Sequence, residues 1–173
     1  MRNFVIAAVA ILAFAGFITS AQARSKATNP EHFAQELKSG NQFEIESANL
    51  ALKKSNTEPV KNFANRLIGD HTAAADKLKN TLKQAGLPEP AMSVNHEQQA
   101  MLSKLENLNG AAFNRRFVKD QIQAHKKAIS LLQSYSNRGT NSELKQLALS
   151  LLPTLKEHLQ IAERLQPEVT ARR

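Results

Sequence analysis

Apolar side chains recur along most of this chain at intervals of three and four residues, the spacing of one face of an α-helix. The pattern predicts four long amphipathic helices and one shorter helix, over 31–54, 58–85, 95–108, 111–136 and 142–165. Pro30 and Pro59 stand where first turns are expected, and the stretch 86–90 ends the second helix. No stretch alternates apolar and polar residues with a period of two, so no strand is predicted.

Four long amphipathic helices can bury their apolar faces only around a shared core. The predicted fold class is therefore all-α: a four-helix bundle with a short extra helix between helices two and three. The connection from Gly86 to Gly110 holds this short helix. It is compatible with up-down-up-down wiring and with a ferritin-type crossover. Pro153 lies inside the last helix, on the face away from the core, and is expected to bend or divide that helix.

The first residues have the pattern of a signal peptide. A basic start at Arg2 precedes an almost wholly apolar stretch, 4–18, and Ala21 and Ala23 suit a signal-peptidase site. The apolar stretch is shorter than the roughly 20 residues that span a bilayer, although an uncleaved anchor is the alternative. We expect a periplasmic protein with a cleaved signal peptide (1–23), a flexible tail (24–30), a bundle domain (31–165) and a C-terminal tail (166–173).

The amino-acid composition excludes several classes of functional site. The chain has no cysteine, which excludes disulfides, thiolate metal sites and cysteine nucleophiles. It has no tryptophan and one tyrosine, so no aromatic platform for nucleic acid is expected. The net charge is +8 and many basic residues are scattered over predicted helix surfaces, which favours weak contact with anionic envelope components and no specific nucleic-acid partner. No phosphate-binding loop or nucleophile elbow is present, so no catalytic or organic-cofactor site is predicted.

Each of the four long helices carries one ionisable residue on its apolar face. At 100° per residue, Glu44, His71, His125 and His158 lie within the apolar arcs, about 18–25 Å from their helix ends. The four side chains could therefore share one layer of the bundle. Converging nitrogen and oxygen donors are how bundles build metal sites, and this set suits one divalent ion such as Zn, Fe or Mn. Copper also accepts such ligands, but a soft copper site is disfavoured without thiolates or an axial methionine.

The interpretation that the sequence favours is an exported, non-enzymatic envelope or stress-related protein of unestablished activity whose polar layer is purely structural, with metal binding as the alternative. Buried His and Glu side chains can satisfy each other by hydrogen bonds, and Asn41 and Gln121, each one turn from a layer residue, widen the polar patch. His32 and His96 lie near helix starts and are predicted at the surface. No E-x-x-H motif is present and Glu44 is the one clear interior carboxylate, which disfavours a di-iron ferroxidase centre.

Several short motifs resemble those of one known family. They are Glu44-Ile45-Glu46, Phe63-Ala64-Asn65-Arg66-Leu67, Asp70-His71-Thr72, Gly110-Ala111-Ala112-Phe113, His125-Lys126-Lys127-Ala128, and Leu152-Pro153-Thr154-Leu155 with Glu157-His158-Leu159. They are similar to the domain of unknown function 4142 family, exported bacterial proteins with a ferritin-like bundle, over nearly all of 31–165. The family implies no established activity. The family motif usually reads Met-Val-x-Asp-His, and this chain has Gln121-Ile122-Gln123-Ala124-His125 at those positions. The resemblance supports the four layer positions and implies no metal.

Overall fold

The computed structural model describes residues 29–91 and 94–171, and all regular structure within these ranges is helical. The helices are α1 (Pro30–Lys54), α2 (Glu58–Gln84), α3 (His96–Glu106), α4 (Gly110–Arg138) and α5 (Ser142–Ala171). The predicted all-α bundle with a short extra helix is confirmed. The predicted signal peptide and residues 24–28 of the predicted tail lie outside the described residues. In the described ranges, no helix combines the length and apolar character needed to cross a membrane.

Local capping explains where two of the helices begin. Asn29 Oδ1 accepts a hydrogen bond from the backbone N–H of His32 at 2.7 Å, and Pro30 occupies the first turn of α1. At the start of α3, Asn95 Oδ1 accepts from the Gln98 N–H while Gln98 Oε1 accepts from the Asn95 N–H. This reciprocal capping box allows α3 to begin sharply after an irregular connection.

The last helix is longer than the sequence pattern predicts. The described part of the expected C-terminal tail is helical, because α5 continues to Ala171. Val169 is buried four residues after Leu165 and packs in the same core cluster, so burial supports a further helical turn. Pro153 is exposed, as expected, and α5 is continuous through it, so the proline does not divide the helix.

Two apolar clusters show the direction of each helix. One joins the start of α1, the ends of α2 and α4, and the start of α5: Phe33, Leu37, Leu78, Leu82, Leu132, Tyr135, Leu144 and Leu147. The other joins the opposite ends: Ala48, Ala51, Val60, Phe63, Phe113, Phe117, Ala162 and Leu165. Helices α2 and α4 therefore run in the same direction, and the connection between them crosses the length of the bundle. This is the ferritin-type wiring, in which the packed pairs α1–α2, α1–α4, α2–α5 and α4–α5 are all antiparallel.

The crossover is held against both α1 and α4. Lys38 Nζ on α1 contacts Glu89 Oε1 and the Pro90 carbonyl oxygen, each at 2.7 Å. On the other side, Glu97 of α3 accepts from Lys127 Nζ of α4 at 2.5 and 2.6 Å. These contacts place α3 as a cover over the seam between α1 and α4, at the height of the mid-bundle layer.

Candidate metal centre

The polar layer predicted from the helix periodicity lies between the two apolar clusters. Glu44 on α1, His71 on α2, His125 on α4 and His158 on α5 are each no more than 4% exposed. The structure therefore brings together the four side chains that the sequence singles out. His32 and His96 stand in the first turns of α1 and α3, outside this layer; His96 is exposed as expected, whereas His32 is half-buried.

The three histidines form a compact group, here called the His trio. One ring nitrogen of each lies within 4.8 Å of the corresponding nitrogens of the other two. His125 Nε2 and His158 Nδ1 are 3.3 Å apart, and the ring centroids are separated by 5.3 to 5.7 Å. Three imidazoles supplied by three different helices therefore converge on one point in the core.

The outer nitrogen of each imidazole faces an oxygen acceptor. His71 Nδ1 is 3.0 Å from Asn41 Oδ1, and His125 Nδ1 is 3.0 Å from the carbonyl oxygen of Gln121. His158 Nε2 is 2.8 Å from Asp70 Oδ2. Since these oxygens accept hydrogen bonds, each outer nitrogen carries the proton. The inner nitrogens then present their lone pairs.

Burial keeps all three imidazoles neutral. Desolvation is the main cause that lowers the pKa of His71 well below its ordinary value, the pKa of His125 to about 3, and the pKa of His158. Neighbouring imidazoles lower the pKa of His71 and His125 further, whereas the carboxylate of Asp70 opposes the shift at His158. Neutral imidazole is the form that coordinates metals.

Glu44 lies beside the His trio rather than within it. Its Oε1 is 3.6 Å from Nδ1 of His125, the outer nitrogen of that ring. Desolvation by burial raises the pKa of Glu44 to about 8, opposed by a hydrogen bond from the side chain of Gln121. The residue is therefore a neutral carboxylic acid at pH 7, one shell outside the converging nitrogens. Gln121 also donates to Ser47 Oγ at 3.1 Å, which ties α4 to α1 at this level.

Asp70 is the member of the site that sequence reasoning missed. Helix periodicity places it at the edge of the apolar stripe of α2, with no assigned partner. In the structure it orients His158 on α5, contacts Arg66 Nε at 3.4 Å, and through Arg66 reaches Glu157. The contact between Asp70 and His158 requires α2 to pack beside α5, and the sequence pattern does not determine whether it does. In the sequence, the one feature that points to Asp70 is that it immediately precedes His71.

Comparison with known proteins identifies relatives by family and by fold. A family model described as "Domain of unknown function (DUF4142)" matches residues 17–165. No curated protein matches the chain. A DUF305 fragment from Deinococcus radiodurans is similar in structure, with a TM-score of 0.71, 17% identity, and coverage of 80% of this chain and 97% of that one.

A second similar structure is a protein named CopM. Its Cu(II)-bound form aligns with a TM-score of 0.68 and 20% identity over 81% of this chain and 97% of that one. Its Ag-bound form aligns with a TM-score of 0.64 and 18% identity over 80% and 96%. At these identities the likeness establishes the shared helical fold.

Proposed function

Because this chain belongs to the domain of unknown function 4142 family, whose description assigns no activity, we propose a function from the geometry of its buried polar layer. His71, His125 and His158 bind one transition-metal ion, and the protein is a non-enzymatic metal-binding protein. Together with the predicted signal peptide, this proposal assigns the protein a role in the bacterial envelope. The basic surface adds weak contact with anionic envelope components.

The observation that carries the proposal is the pair of facing nitrogens in the core. His125 Nε2 and His158 Nδ1 approach to 3.3 Å, yet both outer nitrogens hold the ring protons. Two lone pairs that face each other repel unless a proton or a cation lies between them. Two nitrogen ligands at about 2.0–2.1 Å from a tetrahedral zinc are themselves roughly 3.3 Å apart. The spacing therefore fits a shared metal ion.

The surroundings of the His trio resemble the outer shell of known metal sites. Metal-bound histidines commonly donate their second N–H to a carboxylate or carbonyl oxygen, which fixes the tautomer and the ring orientation. Asp70, the Gln121 carbonyl and Asn41 provide such acceptors. The bound ion would supply Lewis acidity and structural cross-linking of α2, α4 and α5.

The donor set narrows the choice of metal. Three imidazole nitrogens suit Zn²⁺, Cu²⁺ or Fe²⁺ better than Mn²⁺, which favours carboxylate and water oxygens. Glu44 is the one carboxylate that the sequence predicts in the layer. It contacts the outer nitrogen of His125 and not the converging inner nitrogens. The copper- and silver-bound forms of CopM, a bundle of the same fold, support testing those two ions as well.

A structural polar layer is the second candidate, and a specific observation favours it. The bonds from His71 to Asn41 and from His158 to Asp70 each join two helices, so the layer holds α2 to α1 and to α5 without any ion. In that case each His→Ala substitution destabilises the protein by about 1–3 kcal/mol, and added metal changes nothing.

Metal titration with thermal melts separates these candidates. The chelator-treated, tag-free mature protein is melted with and without Zn²⁺, Cu²⁺, Ag⁺, Mn²⁺ and anaerobic Fe²⁺, and bound metal is counted. We expect one ion per chain and a higher Tm, because a ligand of the folded state stabilises by about 3 kcal/mol at a hundredfold excess over Kd.

Four single variants complete this test. His71→Ala, His125→Ala and His158→Ala should each abolish the metal-dependent gain in Tm. His96→Ala, which changes an exposed histidine of α3, should retain it. A wild-type Tm that is insensitive to every ion tested at neutral pH would overturn the metal proposal and leave the structural layer.

A further inference from the structure

A cavity of about 150 Å³ lies beneath α3, between α1 and α4, and ends at the polar layer. Its walls are mainly apolar and include Phe43, Met101 and Leu131, while Glu97 and Lys127 stand at its rim. An apolar cavity of this size is comparable to engineered cavities in other proteins that hold a molecule as large as benzene. The cavity is therefore large enough for a small ring compound.

Polar atoms without partners are concentrated at the inner end of this cavity. Asn41 Nδ2, Glu44 Oε2 and His71 Nε2 are buried and have no hydrogen-bond partner among the described residues. All three residues line the cavity, and each is 4% exposed. An unpaired buried polar group costs about 1–3 kcal/mol, so an occupant with matching polar atoms would be stabilised here. Asn41 offers a donor and His71 offers a lone pair.

Gly40 marks a position in the cavity wall where a side chain would enter free space. It lies inside α1 and lines the cavity, and a Cβ built on it meets no atom within 4 Å. A glycine inside a helix costs roughly 0.5–1 kcal/mol relative to alanine. Neither a positive φ nor close packing requires glycine at this position. Its missing side chain preserves free space next to the layer.

We propose that this cavity binds a small uncharged molecule with an apolar body and an adjacent hydrogen-bond donor and acceptor at one end, as in an azole ring. The apolar body contacts Phe43, Met101 and Leu131, and the polar end meets Asn41 and His71. Apolar walls disfavour a charged occupant, because a charge would lose its hydration without a partner. The occupant would use the same Nε2 lone pair of His71 that the proposed metal ion would take, so the site is available in the metal-free protein.

Pyrazole is a suitable probe because it is neutral at pH 7 and carries an N–H beside a lone-pair nitrogen. It is titrated into ¹⁵N-labelled, metal-free mature protein. We expect saturable chemical-shift changes at residues of α1, α3 and α4 that line the cavity. Changes confined to the smaller cavity of about 60 Å³ beside Asp70 and Thr154, or no saturable change, would overturn the proposal.

A matched pair of glycine variants tests the location. Gly40→Leu projects into the cavity and should weaken pyrazole binding at least tenfold without lowering Tm. Gly69→Leu adds the same side chain at an exposed position of α2, with no atom within 4 Å of its Cβ, and should bind pyrazole like wild type. Equal affinity in the two leucine variants would contradict the assignment.

A second pair of variants, with alanine in place of glycine, tests the same site if the leucine variant misfolds. If Gly40→Leu does not fold, Gly40→Ala should weaken binding two- to threefold relative to Gly69→Ala, and equal affinities would again contradict the site. Since the assay uses metal-free protein, loss of this proposal leaves the metal proposal standing. Loss of the metal proposal likewise leaves the cavity proposal standing.

Discussion

At the scale of single residues, burial sets opposite pH dependences within the layer. The unfolded chain binds a proton at His125 more readily than the folded protein does, because the folded pKa is about 3. The contribution of His125 to stability is therefore present above about pH 6.5 and is lost as pH falls toward 3. Glu44 has a folded pKa of about 8, so its contribution is complete below about pH 4.5 and is lost as pH rises through 8.

Glu44→Gln removes the pH dependence of stability that comes from Glu44. The substituted side chain stays neutral, so the free energy of unfolding should fall less steeply between pH 5 and 8 than in wild type, by at most about 1.4 kcal/mol per pH unit. Denaturant unfolding of metal-free protein at several pH values measures this slope. Glu46→Gln, a carboxylate elsewhere on α1, is the control. Parallel profiles for wild type and Glu44→Gln would show that the Glu44 pKa is not raised.

Asp70 accepts a hydrogen bond from His158 Nε2 and would thereby orient that ring for the proposed metal ion. Asp70→Asn weakens the hold on the Nε2 proton of His158, and loss of such an outer-shell carboxylate commonly costs about 10- to 100-fold in metal affinity. Competition with a metal indicator measures the change in Kd. Asp76→Asn, at an exposed carboxylate on the same helix, should leave Kd unchanged. An unaltered metal affinity in Asp70→Asn would show that Asp70 does not contribute to metal binding through His158.

At the scale of elements, the turn between α4 and α5 depends on one close approach. Tyr135 stacks on Phe33 with ring centroids 3.9 Å apart, and a Cβ on Gly139 would lie 2.5 Å from the Tyr135 ring. Gly139→Ala should therefore destabilise the protein by about 1–3 kcal/mol, because the ring must leave its stack. Gly69→Ala should be neutral or stabilising. A wild-type Tm for Gly139→Ala would show that the turn adapts freely.

Helix periodicity predicts the elements well because each long helix buries one continuous stripe. The four layer residues were predictable for the same reason, since the 100° step shows which polar side chains point inward. The end of α5 was not predictable. The extra turn is supported by the burial of Val169 in a cluster formed by several helices, a tertiary effect absent from the local pattern.

At the scale of the whole molecule, the features that determine the site arise from helix arrangement. The connection between α2 and α4 permits two wirings, and only the folded structure shows that α2 packs beside α5 and that α3 covers α1 and α4. The partnership of Asp70 with His158 and the cavity under α3 follow from that arrangement. Sequence periodicity gives the inward direction of a residue but not its neighbour on another helix.

The charge of the whole molecule leads to a separate expectation. The whole sequence has a net charge of +8, which attracts anionic material over long range but offers no shaped site. Binding to vesicles that contain anionic lipid should be detectable at low ionic strength and be lost near 0.15 M salt, where screening acts within about 8 Å. Co-sedimentation across a salt series measures this. Binding that persists at high salt would indicate apolar insertion instead.

Metal binding as proposed means that the His trio holds a single metal ion. Anomalous diffraction from crystals of the mature protein grown with Zn²⁺ or Cu²⁺ tests it most directly. We expect one anomalous peak in the core, about 2.0–2.1 Å from one ring nitrogen of each of His71, His125 and His158. No peak at saturating metal, or a peak only at surface residues such as His96, would contradict it.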